Sequence, residues 1–231
     1  MNAAIIVAVI ALIGAMLGAG FSLYGQLHMA RKEAEREAAT VLAKYREPLI
    51  LAAYDLQSRL FNILRQDFLG KYYVQDREGS RQYTVDHTAY LVGQYFAWTE
   101  ILRREVQFLQ FEEEASTRRV SELLYEVRDA FASDRAELGT PFMIWRGVQN
   151  AIGERMVTVE DGQRLCIGYA TFVERSADKQ FMRWFEDLVR DIDVIAGEPN
   201  LRLRELQHRL VDLVTTLDEG GVRYQKALSK A

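Results

Sequence analysis

The sequence predicts a mainly α-helical protein: an N-terminal single transmembrane helix followed by a cytoplasmic antiparallel helical bundle with one small β-hairpin. Three observations support this fold class. The chain begins with a long uncharged apolar run, its apolar residues then recur at spacings of three and four, and only 3 prolines occur in 231 residues. With 49% hydrophobic and 27% charged residues, the composition is ordinary for a globular chain and argues against wholesale disorder.

Residues 3–24 carry no charged side chain, and as a helix they would extend about 33 Å, enough to cross a bilayer core. A cleaved signal peptide is the competing interpretation, but no basic residue precedes the run, and the run is too long. Basic residues instead follow it at Arg31, Lys32 and Arg36. The positive-inside rule therefore predicts residues 1–25 as a membrane anchor, with the N-terminus outside and the C-terminal domain in the cytoplasm.

The anchor contains two small residues, Gly14 and Gly18, at the spacing that lets two helix backbones approach closely. This pair indicates self-association within the bilayer, as a homodimer or a larger homo-oligomer. The alternative is that small residues are simply common in membrane helices and that the pair has no role. If the first interpretation is correct, bulky substitutions of both glycines should abolish self-association.

Residues 26–47 are rich in helix-forming residues, lack glycine and proline, and place opposite charges such as Arg31 and Glu35 at helical spacing. They predict a solvated juxtamembrane helical stalk. A short parallel coiled coil is the alternative, but the apolar stripe is thin and rich in alanine. Residues 48–231 show no repeat, linker or composition break, so we expect them to form one helical domain.

The first helix of this domain is expected to start at Pro48, because proline disfavours helix in the residue before it, and to end near Gly70. Residues 71–83 are polar and predict a loop. Thr84 is the expected N-cap of a central helix that reaches residue 111 and is apolar on most sides near its middle. Its uncharged stretch is too short for a second membrane span.

Residues 112–117 predict a polar joint, and apolar spacing between 120 and 131 predicts another amphipathic helix. Thr140 and Pro141 are expected to be the N-cap and first residue of a helix that runs to Met156.

The pattern then alternates around Asp161-Gly162, which predicts a β-hairpin over 157–167. Two further helices are expected at 178–196 and 199–218, followed by a frayed tail.

The motif search finds no catalytic residue, no metal site and no cofactor. The chain has neither a Gly-x-Ser-x-Gly elbow nor a phosphate-binding loop, and Cys166 is expected to be a structural thiol on a strand. Glu205 and His208 share a helix face, but the other ligands of a metal site are missing, so this helix with its arginines Arg202, Arg204 and Arg209 predicts an exposed salt-bridged face. The net charge of −4 argues against nucleic acid as a partner.

Two polar clusters remain. The central helix carries Gln94, Glu100 and Arg104, and the helix after Pro141 carries Arg146, Gln149 and Glu154 together with Gly147 and Gly153. They define a candidate ligand-binding pocket between helices, which predicts that Arg104 and Arg146 approach each other beside a cavity. The favoured alternative is a structural network of ion pairs and hydrogen bonds that fixes helix register. Asp55 and Arg59, four residues apart, leave the same two alternatives open.

These features favour an interaction or regulatory module, an adaptor or scaffold held at the lipid bilayer with an unknown protein partner, over an enzyme. The first alternative is a membrane-associated ligand or lipid sensor, or an enzyme, that uses the inter-helical Arg/Glu/Gln pocket. The second is an oligomeric membrane effector that assembles through Gly14 and Gly18, although a single span with almost no polar face makes a pore difficult to build.

Overall fold

One continuous helix, α1 (Ala3–Arg65), contains the predicted anchor, the predicted stalk and the first helix of the domain. The computed structural model describes residues 3–106, 115–197, 201–218, 221, 224 and 228–231; at residues 3–19, 31, 34, 35, 37–39, 41, 106, 115–117 and 197 it describes the backbone alone. Further elements are α2 (Arg81–Val106), α3 (Ala115–Ala132), α4 (Arg146–Met156), β1 (Val157–Glu160), β2 (Gln163–Cys166), α5 (Tyr169–Arg175), α6 (Lys179–Met182), α7 (Glu186–Gly197), α8 (Leu201–Leu217), a π turn at Gly70–Val74 and 3-10 turns at Arg77–Gly79 and Ala136–Leu138.

The prediction of a mainly helical bundle with one small antiparallel sheet is confirmed. In this bundle α1 packs against α2 and α8, α8 packs against α3, and α2 packs against α4. Helices α1 and α2 run antiparallel: Tyr45 near the start of the buried part of α1 meets Trp98 of α2, whereas Arg59 further along α1 meets His87. The end of α2 therefore lies beside the point where α1 enters the bundle.

Pro48 does not begin a helix, contrary to the prediction, but lies inside α1. A proline in a helix interior removes one backbone hydrogen bond and costs about 3 kcal/mol. The residues around it offset this cost, because Tyr45, Leu49 and Ile50 are all buried in the core of the bundle. Since burying one large apolar side chain contributes about 1.5–3 kcal/mol, tertiary packing outweighs the local preference.

Helix α2 begins at Arg81, so the prediction of Thr84 as its N-cap is wrong, and much of the predicted loop at 71–83 is helical. The carboxylate of Asp76 accepts a hydrogen bond of 2.8 Å from the backbone N–H of Arg81 and satisfies one of the free donors of the first turn. Thr84 is fully buried, and its backbone N–H already donates to Ser80 within the helix.

The helix predicted from Thr140 starts later, at Arg146. Pro141 lies in a turn, and the next residue, Phe142, has a φ of 64°, which is outside the helical region. The backbone N–H of Phe142 donates a hydrogen bond of 2.8 Å to the buried carboxylate of Asp191 in α7. A long-range bond thus holds the chain in a turn where the local sequence favours a helix.

The predicted hairpin is confirmed. Strands β1 and β2 pair antiparallel with Val157 opposite Cys166. Asp161 and Gly162 form the connecting turn with φ angles of 50° and 75°, the two positive values that make an Asp-Gly pair favourable in a tight hairpin.

The prediction of a single helix over 178–196 is wrong, because this segment forms two separate helices, α6 and α7. The break lets Phe181 and Phe185 both pack against Phe172 of α5, with ring centroids 5.4–5.7 Å apart. The predicted helix over 199–218 corresponds to α8. At the predicted frayed tail, the backbone N–H of Ala231 donates to the side chain of Gln207 on α8, so this part of the chain is docked.

Where side chains are described, no helix is both long and apolar enough to cross a membrane. Most of the predicted span at 3–24 lies outside the residues whose side chains are described, and so do Gly14 and Gly18 of the predicted self-association face. From Gly20 to Ala30 the side chains of α1 are exposed, with Phe21 at 77% and Tyr24 at 71%. Burial begins at Tyr45.

Candidate functional site

A cavity of about 360 Å³ lies between α2, α3 and α4, beside one residue of α1. Its volume is near the lower end of the range that is typical of ligand pockets, about 300–1,000 Å³. Half of the lining residues are aliphatic or aromatic and half are polar or charged: Leu42, Tyr95, Phe96, Thr99, Glu100, Leu102, Arg103, Val120, Ser121, Leu124, Tyr125, Arg128, Gln149 and Asn150. The cavity can therefore contact both an apolar chain and a polar group.

Helical spacing explains which residues reach the cavity. Phe96 and Arg103 are seven residues apart on α2, which places them on one face of that helix. On α3, Val120, Leu124 and Arg128 follow one another at spacings of four and form a single stripe. These faces of α2 and α3 form two walls of the cavity, and Gln149 and Asn150 of α4 form the third.

Helices α2 and α4 approach closely at Gly153. A β-carbon at this position would lie 2.6 Å from the backbone oxygen of Phe96 and 2.9 Å from the β-carbon of Glu100. By contrast, a β-carbon at Gly147 would have no atom within 4 Å. The close approach therefore requires glycine at only one of the two positions that the sequence singled out.

A buried carboxylate, Glu100, joins α2 to α4 through arginines. Arg103 and Arg104 donate hydrogen bonds of 2.7 and 2.5 Å to it, and Arg104 also forms an ion pair of 2.8 Å with Glu154. Burial acts to raise the pKa of Glu100, but the hydrogen bonds from Arg103 and Arg104 outweigh it, so the pKa lies below its usual value. Glu100, Arg104 and Glu154 are thus joined by ion pairs, as expected for the structural network that is the favoured alternative to a binding pocket.

Arg128 and Tyr95, which line the cavity, each have one buried polar atom without a partner among the described residues. The Nη2 atom of Arg128 donates to the side chain of Asn150 at 3.1 Å, whereas its buried Nε atom has no hydrogen-bond partner within the described residues. The hydroxyl of Tyr95 also lacks one there, and the side chain is only 1% exposed. Burial, followed by repulsion from Arg146 and Arg103, lowers the pKa of Arg128.

The structure brings together some of the predicted site residues and separates others. Glu100 and Gln149 line the cavity, whereas Arg104 and Glu154 form their ion pair outside the lining. Gln94 is not a lining residue, and its Oε1 atom is buried without a partner in the described part of the chain.

Arg146 lies at the other end of α4 from Glu154, and its guanidinium binds Asp129 at 2.7 Å. Arg146 and Glu154 are eight residues apart, about 12 Å along a helix, so Arg104 binds the end of α4 opposite to the one that carries Arg146. The approach of these two arginines that the pocket hypothesis predicts is therefore not made.

Arg128 is a cavity residue that is absent from the two polar clusters predicted from the sequence. The residue follows Leu124 by four positions, so it continues the apolar stripe of α3 on the same face. A basic residue in line with an apolar stripe is the pattern that could have identified it.

A second polar cluster joins α1 to α2. Arg59 is only 8% exposed and forms no ion pair with Asp55 or any other described carboxylate; its Nη2 atom lies 2.6 Å from Nδ1 of His87. Because arginine can only donate, Nδ1 accepts and the imidazole is neutral. Burial, and then the charge of Arg59, lowers the pKa of His87 to about 4. The guanidinium also lies over the ring of Phe68, 4.1 Å from its centroid.

This arrangement predicts a stability loss in mild acid. In the unfolded chain His87 becomes protonated below pH about 6.5, whereas in the folded chain it stays neutral down to pH about 4. The free energy of unfolding should therefore fall by about 2 kcal/mol between these pH values, after allowance for the partial exposure of the ring. Urea unfolding of the full chain in mild detergent, repeated across this pH range, measures it.

The variant His87→Asn retains a hydrogen-bond acceptor near Arg59 and should lose this part of the pH dependence. His28→Asn, at an exposed position of α1, should keep it. Equal pH dependence in the wild type and His87→Asn would contradict the assignment.

Cys166 resembles a structural thiol, because burial raises its pKa to about 12. Among the described residues, no three His, Cys, Asp or Glu side chains are grouped so that they could hold a metal ion. The chain matches no protein-family model, and no curated protein or solved structure resembles it significantly.

Proposed function

We propose that the protein is a membrane-anchored helical interaction module, an adaptor or scaffold that one N-terminal span holds at the cytoplasmic face of a bilayer. The observation that carries this proposal is the continuity of α1. Between Gly20 and Ala30 this helix exposes large apolar side chains such as Phe21 and Tyr24, and further along it supplies core residues such as Leu49. One helix without a break would transmit the position of the anchor directly to the bundle.

A surface beside α4 suits a protein partner. Trp145 and Tyr125 are 57% and 56% exposed, and the guanidinium of Arg146 lies 4.8 Å from the centre of the Tyr125 ring. Tryptophan, tyrosine and arginine are the residue types most enriched among interface hot spots. The ion pair of Arg146 with Asp129 holds this group in place, which lowers the entropy lost on binding.

Cross-linking and affinity purification of the full chain from its native membranes tests the proposal. We expect the wild type to float with membranes and to recover one stoichiometric protein partner. The variant Ile10→Arg introduces a charge into the span, which costs about 3 kcal/mol, and should shift the chain to the soluble fraction.

The variant Trp145→Ala should stay in the membrane but lose most of the partner. The exposed position Val194 supplies a matched control, because Val194→Ala should retain it. A wild-type chain that does not float, or that recovers no stoichiometric partner, would show that the proposal is wrong. Recovery of the chain as a homo-oligomer without another protein would instead favour self-association through Gly14 and Gly18.

Ligand sensing is a second candidate function, and the cavity beside Arg128 favours it. Here the bundle would bind a small molecule between α2, α3 and α4, and occupancy would change how these helices pack. The exposed aromatic surface lies next to the cavity, because Tyr125 belongs to both.

A further inference from the structure

The lining of the cavity combines apolar side chains with cations. Leu42, Phe96, Leu102 and Leu124 are apolar, and Arg103 and Arg128 are cationic. Along α3, Val120 and Arg128 are eight residues apart, so the stripe that carries both is about 12 Å long. This mixed lining matches a molecule with one apolar chain and one polar head.

One of these cations has no ion-pair partner. Arg128 forms no ion pair with any carboxylate in the described part of the chain; Glu100 acts on it electrostatically but is hydrogen-bonded to Arg103 and Arg104. The neighbouring Arg146 is paired with Asp129. An unpaired cation on a half-buried side chain is costly, and a bound anion would remove that cost.

The polar head has to carry a negative charge to pair with this cation. A carboxylate has two oxygens, and both can accept hydrogen bonds from a guanidinium such as that of Arg128. An uncharged head could not neutralise Arg128.

We propose that this cavity binds a single-chain amphiphile with a carboxylate head, of which a fatty acid is the simplest example. The head would lie beside Arg128, and the chain would follow Phe96 and Leu124 towards Leu42. The volume of about 360 Å³ suits one chain rather than the two of a phospholipid. This inference rests on the second candidate function and not on the protein-partner proposal.

Titration of the full chain in lipid nanodiscs with dodecanoate, labelled with ¹³C at the carboxyl carbon, tests the inference by NMR. We expect a saturable carboxyl resonance distinct from that of dodecanoate dissolved in the bilayer. It should titrate at lower pH than the bilayer population, because Arg128 favours the charged form. Dodecanol, which has the same chain without the charge, should compete poorly.

Two variants separate the head from the chain. Arg128→Gln should weaken binding about tenfold to a hundredfold, the usual effect of losing a charge-assisted hydrogen bond. Leu124→Trp should fill the cavity and abolish the saturable resonance. Arg190→Gln is the matched control for charge, because Arg190 is 66% exposed on α7 and distant from the cavity lining. Circular dichroism of each variant checks that it is folded.

No saturable resonance in the wild type, equal binding by Arg128→Gln, or equal competition by dodecanol would each overturn the inference. Leu124→Trp adds a further test if it folds, since retained binding would place the ligand elsewhere. Flotation of the same nanodisc-reconstituted chain is measured separately, so failure to bind dodecanoate leaves the anchored interaction module standing.

Discussion

Replacing Arg202 by methionine should lower the free energy of unfolding by about 3–5 kcal/mol. Arg202 is fully buried at the start of α8, so it does not belong to the exposed salt-bridged face predicted for this helix, on which Glu205 and Arg209 do form ion pairs. Its guanidinium donates to four backbone oxygens at 2.6–3.2 Å, those of Ala130, Phe131, Ser133 and Gly139. Methionine fills a similar volume but donates to none of them, so that only the oxygen of Phe131 keeps a donor among the described residues, the backbone N–H of Ile144.

The cost is large because two of these oxygens belong to the last turn of α3. The final carbonyls of a helix have no partner within the helix and need donors from elsewhere. Arg202 supplies those donors and also fixes the chain that leaves α3, through Ser133 and Gly139. A single side chain therefore ties α8 to the end of α3 and to the segment that follows it.

Urea unfolding of the full chain in mild detergent, followed by circular dichroism, measures the effect. Arg204→Met is the matched control, because Arg204 is exposed two residues further along the same helix; its effect should stay within about 0.5 kcal/mol. Arg202→Lys should fall in between, since one ammonium has three donors for four acceptors. Equal stability of Arg202→Met and Arg204→Met would contradict this account.

Gly153→Ala should destabilise the protein by about 2–4 kcal/mol, although alanine is normally the better helix former. The added carbon would lie 2.6 Å from the backbone oxygen of Phe96, and neither backbone can move without separating α2 from α4. Separation would stretch the ion pair between Arg104 and Glu154 and widen the cavity beside Gln149.

Gly147→Ala, in the same helix, is expected to change the stability in the opposite direction. No atom lies within 4 Å of the point that its new β-carbon would occupy, so the variant should be more stable by about 0.5 kcal/mol because alanine restricts the unfolded chain. Urea unfolding of both variants in one detergent measures the difference in sign. If Gly153→Ala were as stable as Gly147→Ala, the close contact of α2 and α4 would be incorrect.

The hairpin and the presence of most helices could be predicted from the sequence, because each depends on neighbouring residues. Asp161-Gly162 adopts two positive φ angles that few other pairs tolerate, and the apolar stripe of α3 requires only its own spacing. Helix boundaries were predicted less well. Pro48 and Thr84 have strong local preferences, but burial around Pro48 and a bond from Arg81 to Asp76 override them.

Composition and periodicity along the chain are sufficient to predict the helical class, the hairpin and the expectation of an N-terminal anchor. Which charges are buried, and what satisfies them, depends instead on how the helices pack. Arg202 finds one of its acceptors on Ala130, 72 residues away. Arg128 forms no ion pair with a carboxylate of the described residues, whereas Arg103 and Arg104 share Glu100. A charged side chain looks the same in sequence whether water or protein solvates it, and only the packed neighbours distinguish the two.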